Sequence, residues 1–259
     1  MKKLQLFVLL VTVLFLSNIG FRSSTTYSQG LNLGAKLGFS VPQLANKSDN
    51  EISDGYKSRL GPAFGLYLNN YFSSHFALQL EVMFVGQGGR RDEMQPIPPD
   101  ELEGYPIPPG MNLYANFRND VILNYLEIPL LAKYKIGLSE KWSVYGAFGP
   151  YLGIMLNART ESSGSSKLYL DKEGNIPLSF LGKELPASDF DNETDITDDV
   201  NSTNFGLTGG IGICYDFGSS ELNLDIRGSG GFTHIQKDEA NGVNTTGALV
   251  VTAGYSIEL

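Results

Sequence analysis

Alternation of apolar and polar residues constrains this chain more than any other feature, because it recurs in eight segments after residue 30. In the clearest segment, Asn204–Phe217, large apolar residues such as Leu207 and Ile211 alternate with small or polar ones such as Thr208 and Gly210. A period of two predicts β-strands with one apolar and one polar face. The predicted strands are Leu31–Ser40, Leu60–Tyr71, Phe76–Gly88, Val121–Ile136, Trp142–Ala158, Asn204–Phe217, Glu221–His234 and Gly247–Leu259.

The connections between these strands alternate in length. Short polar turns occupy residues 73–75, 137–141 and 218–220, and long segments occupy residues 41–59, 89–120, 159–203 and 235–246. Short turns at one rim and long loops at the other are typical of an outer-membrane barrel. A soluble, lipocalin-like barrel is the alternative, but glycines beside charges on the polar face favour a narrow lumen. We therefore predict an all-β fold, an eight-stranded antiparallel up-and-down transmembrane β-barrel.

The N-terminal segment has the pattern of a secretory signal peptide. Lys2 and Lys3 precede an apolar run from Leu4 to Leu16, which is shorter than the roughly 20 residues of a membrane-spanning helix. We predict cleavage after Ser28, which leaves residues 29–259 as the barrel domain, with an uncleaved anchor as the alternative. The predicted location is the outer membrane of a Gram-negative bacterium.

Charge and composition exclude several classes of function. The net charge of −9 carries no basic cluster of the kind that binds nucleic acid. One cysteine, Cys214, excludes an internal disulfide, and two histidines leave little for zinc or acid–base chemistry. We predict no nucleic-acid partner, no cofactor and no metal.

The polar faces of the strands carry charges of both signs, which an eight-stranded lumen must neutralise internally. We predict an ionic network in the lumen with Glu127 and Arg227 at its centre. A closed polar plug is the preferred interpretation, and a selective ion path is the alternative. The predicted members are Lys36, Glu81, Glu127, Lys133, Lys135, Asp216, Asp225, Arg227 and Glu258.

Two further features concern the strands themselves. Aromatic residues near the strand ends predict girdles at the membrane interfaces; they are Tyr71, Phe72, Trp142, Phe217 and Phe232. Pro129 and Pro150 lie inside predicted strands and cannot donate to a β-ladder, so each predicts a bulge or a local break.

The two longest connections, 89–120 and 159–203, hold 16 acidic and 7 basic residues. The first contains the echo Pro96–Pro99 and Pro106–Pro109, which predicts a stiff polyproline segment. In the second, alternate carboxylates resemble the start of a calcium loop, at Asp189, Asp191, Glu193 and Asp195. Thr194 and Val200 replace the glycine and glutamate of an EF-hand, so a solvated acidic loop is the default and weak Ca²⁺ binding the alternative.

Four short runs stand out within the predicted strands: Tyr125–Leu130, with the sequence Tyr-Leu-Glu-Ile-Pro-Leu, and residues 34–38, 146–151 and 206–212. Together they resemble the PorT-like outer membrane β-barrel family of Bacteroidetes, and Tyr125–Leu130 is the most specific of them. The resemblance implies an eight-stranded outer-membrane barrel over the whole mature chain. Some members of that family are linked to protein secretion.

These features favour a non-enzymatic barrel with a closed lumen that presents acidic extracellular loops for envelope structure or partner docking. The expected partners are outer-membrane lipids and other envelope or secretion proteins. A secretion-associated accessory subunit or a small channel is the first alternative. A lipid-modifying enzyme is the second, with His234 near Ser229 and Thr233 as its one candidate site.

Overall fold

A computed structural model describes residues 30–46, 51, 53–97, 112–238 and 242–259. The predicted signal peptide lies outside the described residues, as does the proline echo from Pro98 onward. Eight long strands form the framework: β1 Leu31–Asn46, β2 Gly61–Tyr71, β3 Phe76–Ile97, β4 Leu113–Gly137, β5 Trp142–Ser163, β6 Thr203–Asp216, β7 Ser220–His234 and β8 Asn244–Glu258. No helix in this part of the chain is long and apolar enough to cross a membrane.

The eight strands close into an antiparallel ring in which each strand pairs with its sequence neighbours and β8 pairs with β1. Leu37, for example, lies opposite Phe64 on β2 and Ala253 on β8. Closure satisfies the backbone groups that an open sheet edge would expose. The predicted fold class is thereby confirmed.

Side chains alternate across the wall of the ring as the period of two requires. Leu37, Ile211 and Leu224 project outward and are exposed, whereas Lys36, Gly212 and Asp225 project into the lumen. The outer face is therefore apolar and the inner face is polar, which is the arrangement expected of a barrel in lipid.

β3 and β4 extend far beyond the apolar band, which corrects the prediction of a loop over residues 89–120. The two strands remain paired from Gly89 opposite Val121 to Ile97 opposite Leu113. Arg90 faces Asp120 and Asp92 faces Arg118 across the ladder, so opposite charges support the pairing. A strand that stands in water needs no continuous apolar face, and the alternation signal was therefore weak here.

Residues 159–203 are also partly ordered rather than a plain loop. Asn192–Asp195 pairs with β5, Ser165–Ser166 pairs with Ser188–Asp189, and Ser179–Phe180 forms a small hairpin with Lys183–Glu184. Ile97, Leu113 and Phe117 pack with Leu168 into an apolar cluster above the ring. The long loops thus form a folded platform.

The two strand prolines mark interruptions of the ladder, as predicted. The β3–β4 pairing skips from Leu80–Leu130 to Met83–Glu127, opposite Pro129. The β4–β5 pairing skips from Pro129–Tyr151 to Ala132–Phe148, opposite Pro150. The register is the same on both sides of each gap, so these are local breaks rather than bulges.

The outward position of Leu37 gives a direct test of the barrel's orientation. We expect Leu37→Arg to lower the free energy of unfolding in lipid vesicles by about 2–4 kcal/mol, because a charge near the bilayer midplane is costly. Leu181→Arg, at an exposed loop position, is the control and should change it by less than about 0.5 kcal/mol. Urea unfolding followed by the fluorescence of Trp142, the single tryptophan, measures both. Equal losses in the two variants would contradict the lipid-facing assignment.

Candidate functional site

Four buried charges meet at the centre of the lumen. The Lys36 ammonium lies 2.9 Å from Glu81 and 3.3 Å from Asp225. The Arg227 guanidinium donates to both oxygens of Glu81, at 2.7 and 3.2 Å, and to Asp225 at 2.8 Å. Each cation therefore binds both anions, and the quartet is neutral. We call Lys36, Glu81, Asp225 and Arg227 the central quartet.

Neighbouring side chains hold the central quartet in place. The Tyr145 hydroxyl donates to Asp225 at 2.6 Å, and Gln79 donates to Glu81. The Lys36 ammonium also lies over the Tyr67 ring, 5.1 Å from its centroid. The quartet is thus embedded in further polar and aromatic contacts, which is what buried charges require.

Glycine is needed where these tyrosines cross the lumen. A Cβ atom at Gly34 would clash with the Tyr67 ring, and one at Gly212 would clash with the Tyr145 ring. Part of the glycine excess of the sequence therefore makes room for the aromatic side chains that support the quartet.

Glu127 is not at the centre of the network, which corrects the prediction for this residue. Its carboxylate accepts a hydrogen bond from Gln87, and within the described ranges no ion pair joins it to a cation. A cavity of about 20 Å³, lined by Glu127, Arg227, Lys36 and Glu81 among others, adjoins it. That volume holds about one water molecule.

A second ionic group lies toward the short-turn end of the lumen. Lys135 donates to Glu221, and Lys133 lies 4.0 Å from the other oxygen of that carboxylate. Lys133 also stands over the Tyr145 ring, 3.9 Å from the centroid. Glu221 was not among the predicted members, although it lies four residues before Asp225 on the same polar face.

Asp216 and Glu258 lie outside these two groups. Both line an open vestibule of about 160 Å³ at the short-turn mouth, with Lys135 and Glu221 deeper in it. The Asp216 carboxylate accepts a hydrogen bond from the Gly218 amide at 2.6 Å. Because the vestibule is open, water can reach both carboxylates.

The charges inside the lumen balance. Lys36, Lys133, Lys135 and Arg227 face Glu81, Glu127, Glu221 and Asp225, four positive and four negative formal charges. The buried part of the lumen therefore carries no net formal charge. Its wall is held together across the barrel by its own side chains.

An apolar cluster lies at the long-loop end, above the central quartet. Leu123 and Tyr125 on β4 and Met155 on β5 pack against Val200 and Ile235 from the loops. The loop residues of this cluster carried no sequence signal, because isolated apolar residues in a loop do not reveal what they cover. The lumen is therefore polar in its middle and apolar at its outer end.

The predicted girdle aromatics divide between the two faces of the wall. Phe72, Trp142, Phe217 and Phe232 are exposed on the outside. Trp142 and Phe217 both pack edge-on against Tyr215 near the short turns. Tyr71 corrects the prediction, because it lines the lumen mouth beneath Lys135. It shares the parity of Tyr67 on β2, and that parity, not nearness to a strand end, sets the face.

The four carboxylates of the hypothetical calcium loop are not brought together. Asp191 accepts from the Gly164 amide, and Glu193 lies 3.3 Å from Arg159. Hydrogen bonds from the side chain and amide of Thr197 lower the pKa of Asp195 below its ordinary value. Asp189 belongs to a separate small sheet. Over the described residues, no three His, Cys, Asp or Glu side chains form a metal-binding group.

The residues near the one candidate enzymatic histidine are engaged elsewhere. The Thr233 hydroxyl accepts from the Phe205 amide at 3.3 Å, and the Ser229 hydroxyl donates to the Ala248 carbonyl at 3.4 Å. Over the described residues, neither hydroxyl forms a hydrogen bond with His234.

The central quartet predicts unequal effects of two glutamate substitutions. We expect Glu81→Gln to lower the free energy of unfolding by about 3–5 kcal/mol, because it leaves Arg227 and Lys36 with one anion. Glu127→Gln should change it by less than about 1 kcal/mol, since an amide can keep the contact with Gln87. Urea titration in lipid vesicles measures both, and an equal or reversed order would show that Glu127 is the central anion.

The sequence and structure were compared with known proteins. Among solved structures the chain is similar to Ail of Yersinia pestis, with 14% identity over 87% of this chain and 98% of Ail, at a TM-score of 0.37. It is also similar to Neisserial surface protein A, with 13% identity over 88% and 97% of the chains and a TM-score of 0.38. It is similar as well to OprG of Pseudomonas aeruginosa, with 13% identity over 90% of this chain and 97% of OprG, at a TM-score of 0.41. A comparison with curated proteins finds no significant match.

A family model described as an outer membrane protein beta-barrel domain matches residues 22–237, which is most of the chain. The match agrees with the closed ring, the apolar outer face and the neutral lumen described above. The chain therefore belongs to the outer membrane protein beta-barrel domain family and is a protein of the Gram-negative outer membrane.

Proposed function

We propose that this protein is a non-enzymatic outer-membrane barrel with a closed lumen, whose function lies in the extracellular platform that it presents. One observation carries the proposal: the central quartet and the apolar cluster above it lie across the lumen, and the cavity beside Glu127 measures about 20 Å³. That cavity has room for about one water molecule, which is less than a hydrated ion occupies. The extracellular surface is then where the protein meets other molecules.

The platform has the order that a docking surface needs. Tyr114 pairs with Tyr169 through backbone hydrogen bonds of 2.9 and 2.8 Å, which fixes the long loop against β4. Phe117 stacks on Phe190 with ring centroids 4.6 Å apart. The side chains that the platform displays are therefore held in place, which lowers the entropy cost of binding.

The outer tip of the platform displays apolar side chains to solvent. Leu181 is 90% exposed, and Phe180 beside it is also exposed. Leu181 has φ of 52°, a conformation that a leucine seldom adopts. Exposed apolar residues on a constrained turn are typical of a protein-binding surface. This tip supports docking of an envelope or secretion protein rather than a purely mechanical role.

A narrower form of this proposal is a secretion-associated accessory subunit. The PorT-like resemblance at Tyr125–Leu130 supports it. It uses the same platform and differs only in the partner. Outer-membrane lipids are the second expected partner, around the apolar wall.

Site-specific photo-crosslinking in cells tests the docking proposal. We expect a photoreactive residue at Leu181 to give one recurrent protein adduct, because the tip is free to meet a partner. A photoreactive residue at Leu37, which is 70% exposed on the barrel wall, is the matched control and should react with lipid. Protein adducts at Leu37 but none at Leu181 would contradict docking through the platform.

A further inference from the structure

A group of cations lies on the outer face of the barrel just above the apolar band. Lys57 pairs with Arg90 in an antiparallel bridge, with backbone hydrogen bonds of 2.7 and 2.8 Å. Two residues further along, Arg59 therefore lies beside Gly88 of β3. On β4, Leu123 and Tyr125 point into the lumen. Arg118 and Asp120 occupy the alternate positions of the same strand, so they point outward. We call Lys57, Arg59, Arg90 and Arg118 the outer basic surface.

The height of the outer basic surface matches the boundary of the bilayer. Phe76 marks the short-turn rim of β3, and Gly88 lies 12 residues above it. At about 3.3 Å per residue and a tilt of about 40°, that distance is roughly 30 Å along the membrane normal. The hydrocarbon core is also about 30 Å thick. Arg59 is thus level with the headgroups of the outer leaflet, and Arg90 is one step further out.

The cations of this surface are accessible. The side chains of Lys57, Arg90 and Arg118 are 77%, 40% and 42% exposed. Asp120 is only 8% exposed and lies beneath Arg90 and Arg118, each of which binds it at 2.7 Å. Asp120 therefore positions the two guanidinium groups while leaving their outer edges free.

Arg59 is the member of this surface with an unsatisfied hydrogen-bond donor. It donates to the Gln87 carbonyl at 3.2 Å, and its Nε is buried without a hydrogen-bond partner. No ion pair joins it to a carboxylate over the ranges that the structure describes. Below it on the outer wall lie Leu60 and Phe64, both exposed and apolar. An anion that reaches Arg59 therefore has apolar surface directly beneath it.

Acidic residues also lie near this surface. Glu93 lies 3.8 Å from Lys57, and Glu161 on β5 lies opposite Asp120 in the β4–β5 ladder. Arg159 binds Glu161 at 2.8 Å and Glu193 at 3.3 Å. Over the described residues Arg59 is therefore the member of the outer basic surface that no carboxylate pairs, and it carries the case for binding a further anion.

We propose that the outer basic surface binds the phosphate groups of outer-leaflet lipids, with Arg59 and Arg90 as the principal contacts. A phosphate has the charge and the oxygen spacing that a guanidinium fork recognises. The acyl chains attached to a lipid phosphate would lie along the apolar wall below Arg59. This combination of cations over apolar surface distinguishes a lipid from a free anion.

Binding of lipid A to the purified full-length protein in detergent, measured by native mass spectrometry, tests this proposal. The variant Lys57→Gln/Arg59→Gln removes two cations without touching the ion pairs of Asp120. We expect it to bind bis-phosphorylated lipid A about tenfold more weakly than the wild type. The control Lys167→Gln/Lys183→Gln makes the same change of charge on the extracellular platform and should stay within about twofold. Heat-dependent gel mobility confirms that each variant is folded.

Three results would overturn the proposal. One is unchanged lipid A binding in the folded Lys57→Gln/Arg59→Gln variant. Another is equal binding of dephosphorylated lipid A by the wild type. The third is full displacement of lipid A by inorganic phosphate at the same concentration, which would show a site for the free anion instead of a lipid.

Discussion

Charge neutrality inside the lumen is the constraint on which the rest of this structure depends. Lys36 and Arg227 come from β1 and β7, and Glu81 and Asp225 come from β3 and β7. Each cation contacts both anions, so the contacts cross the barrel in several directions. Because a buried charge without a partner costs several kcal/mol, the quartet ties the strands to one another as well as filling the space between them.

The outer surface differs from the lumen in how its charges are arranged. Asp120 binds Arg90 and Arg118, and Glu161 lies opposite Asp120 on β5, so charges of both signs lie side by side in the extracellular ladder. Arg59 is the member of the outer basic surface without an ion pair over the described residues. Water screens these exposed charges, whereas the buried charges of the lumen need partners close by.

The sequence predicted the ring and most of the lumen charges because a period of two sorts residues by face. Alternation alone does not show which carboxylate binds Arg227. Glu81 and Glu127 both lie on polar faces, and the stagger between strands decides which one meets Arg227. Tyr71 lies near a turn, but it is four residues from Tyr67 on the same strand and therefore faces the lumen as Tyr67 does. The extensions of β3 and β4 were missed because, above the membrane, pairs such as Arg90 and Asp120 replace the apolar alternation that marks a strand.

The account as a whole rests on a closed lumen, and single-channel recording in planar lipid bilayers tests this most directly. On the proposal of a closed lumen, the purified full-length protein should give no conductance steps, because the central quartet and the cluster around Leu123 and Tyr125 lie across the path that ions would take. Stable steps of the size seen for a 16-stranded porin would contradict the account. The lumen would then be a channel, and the extracellular platform would be secondary to it.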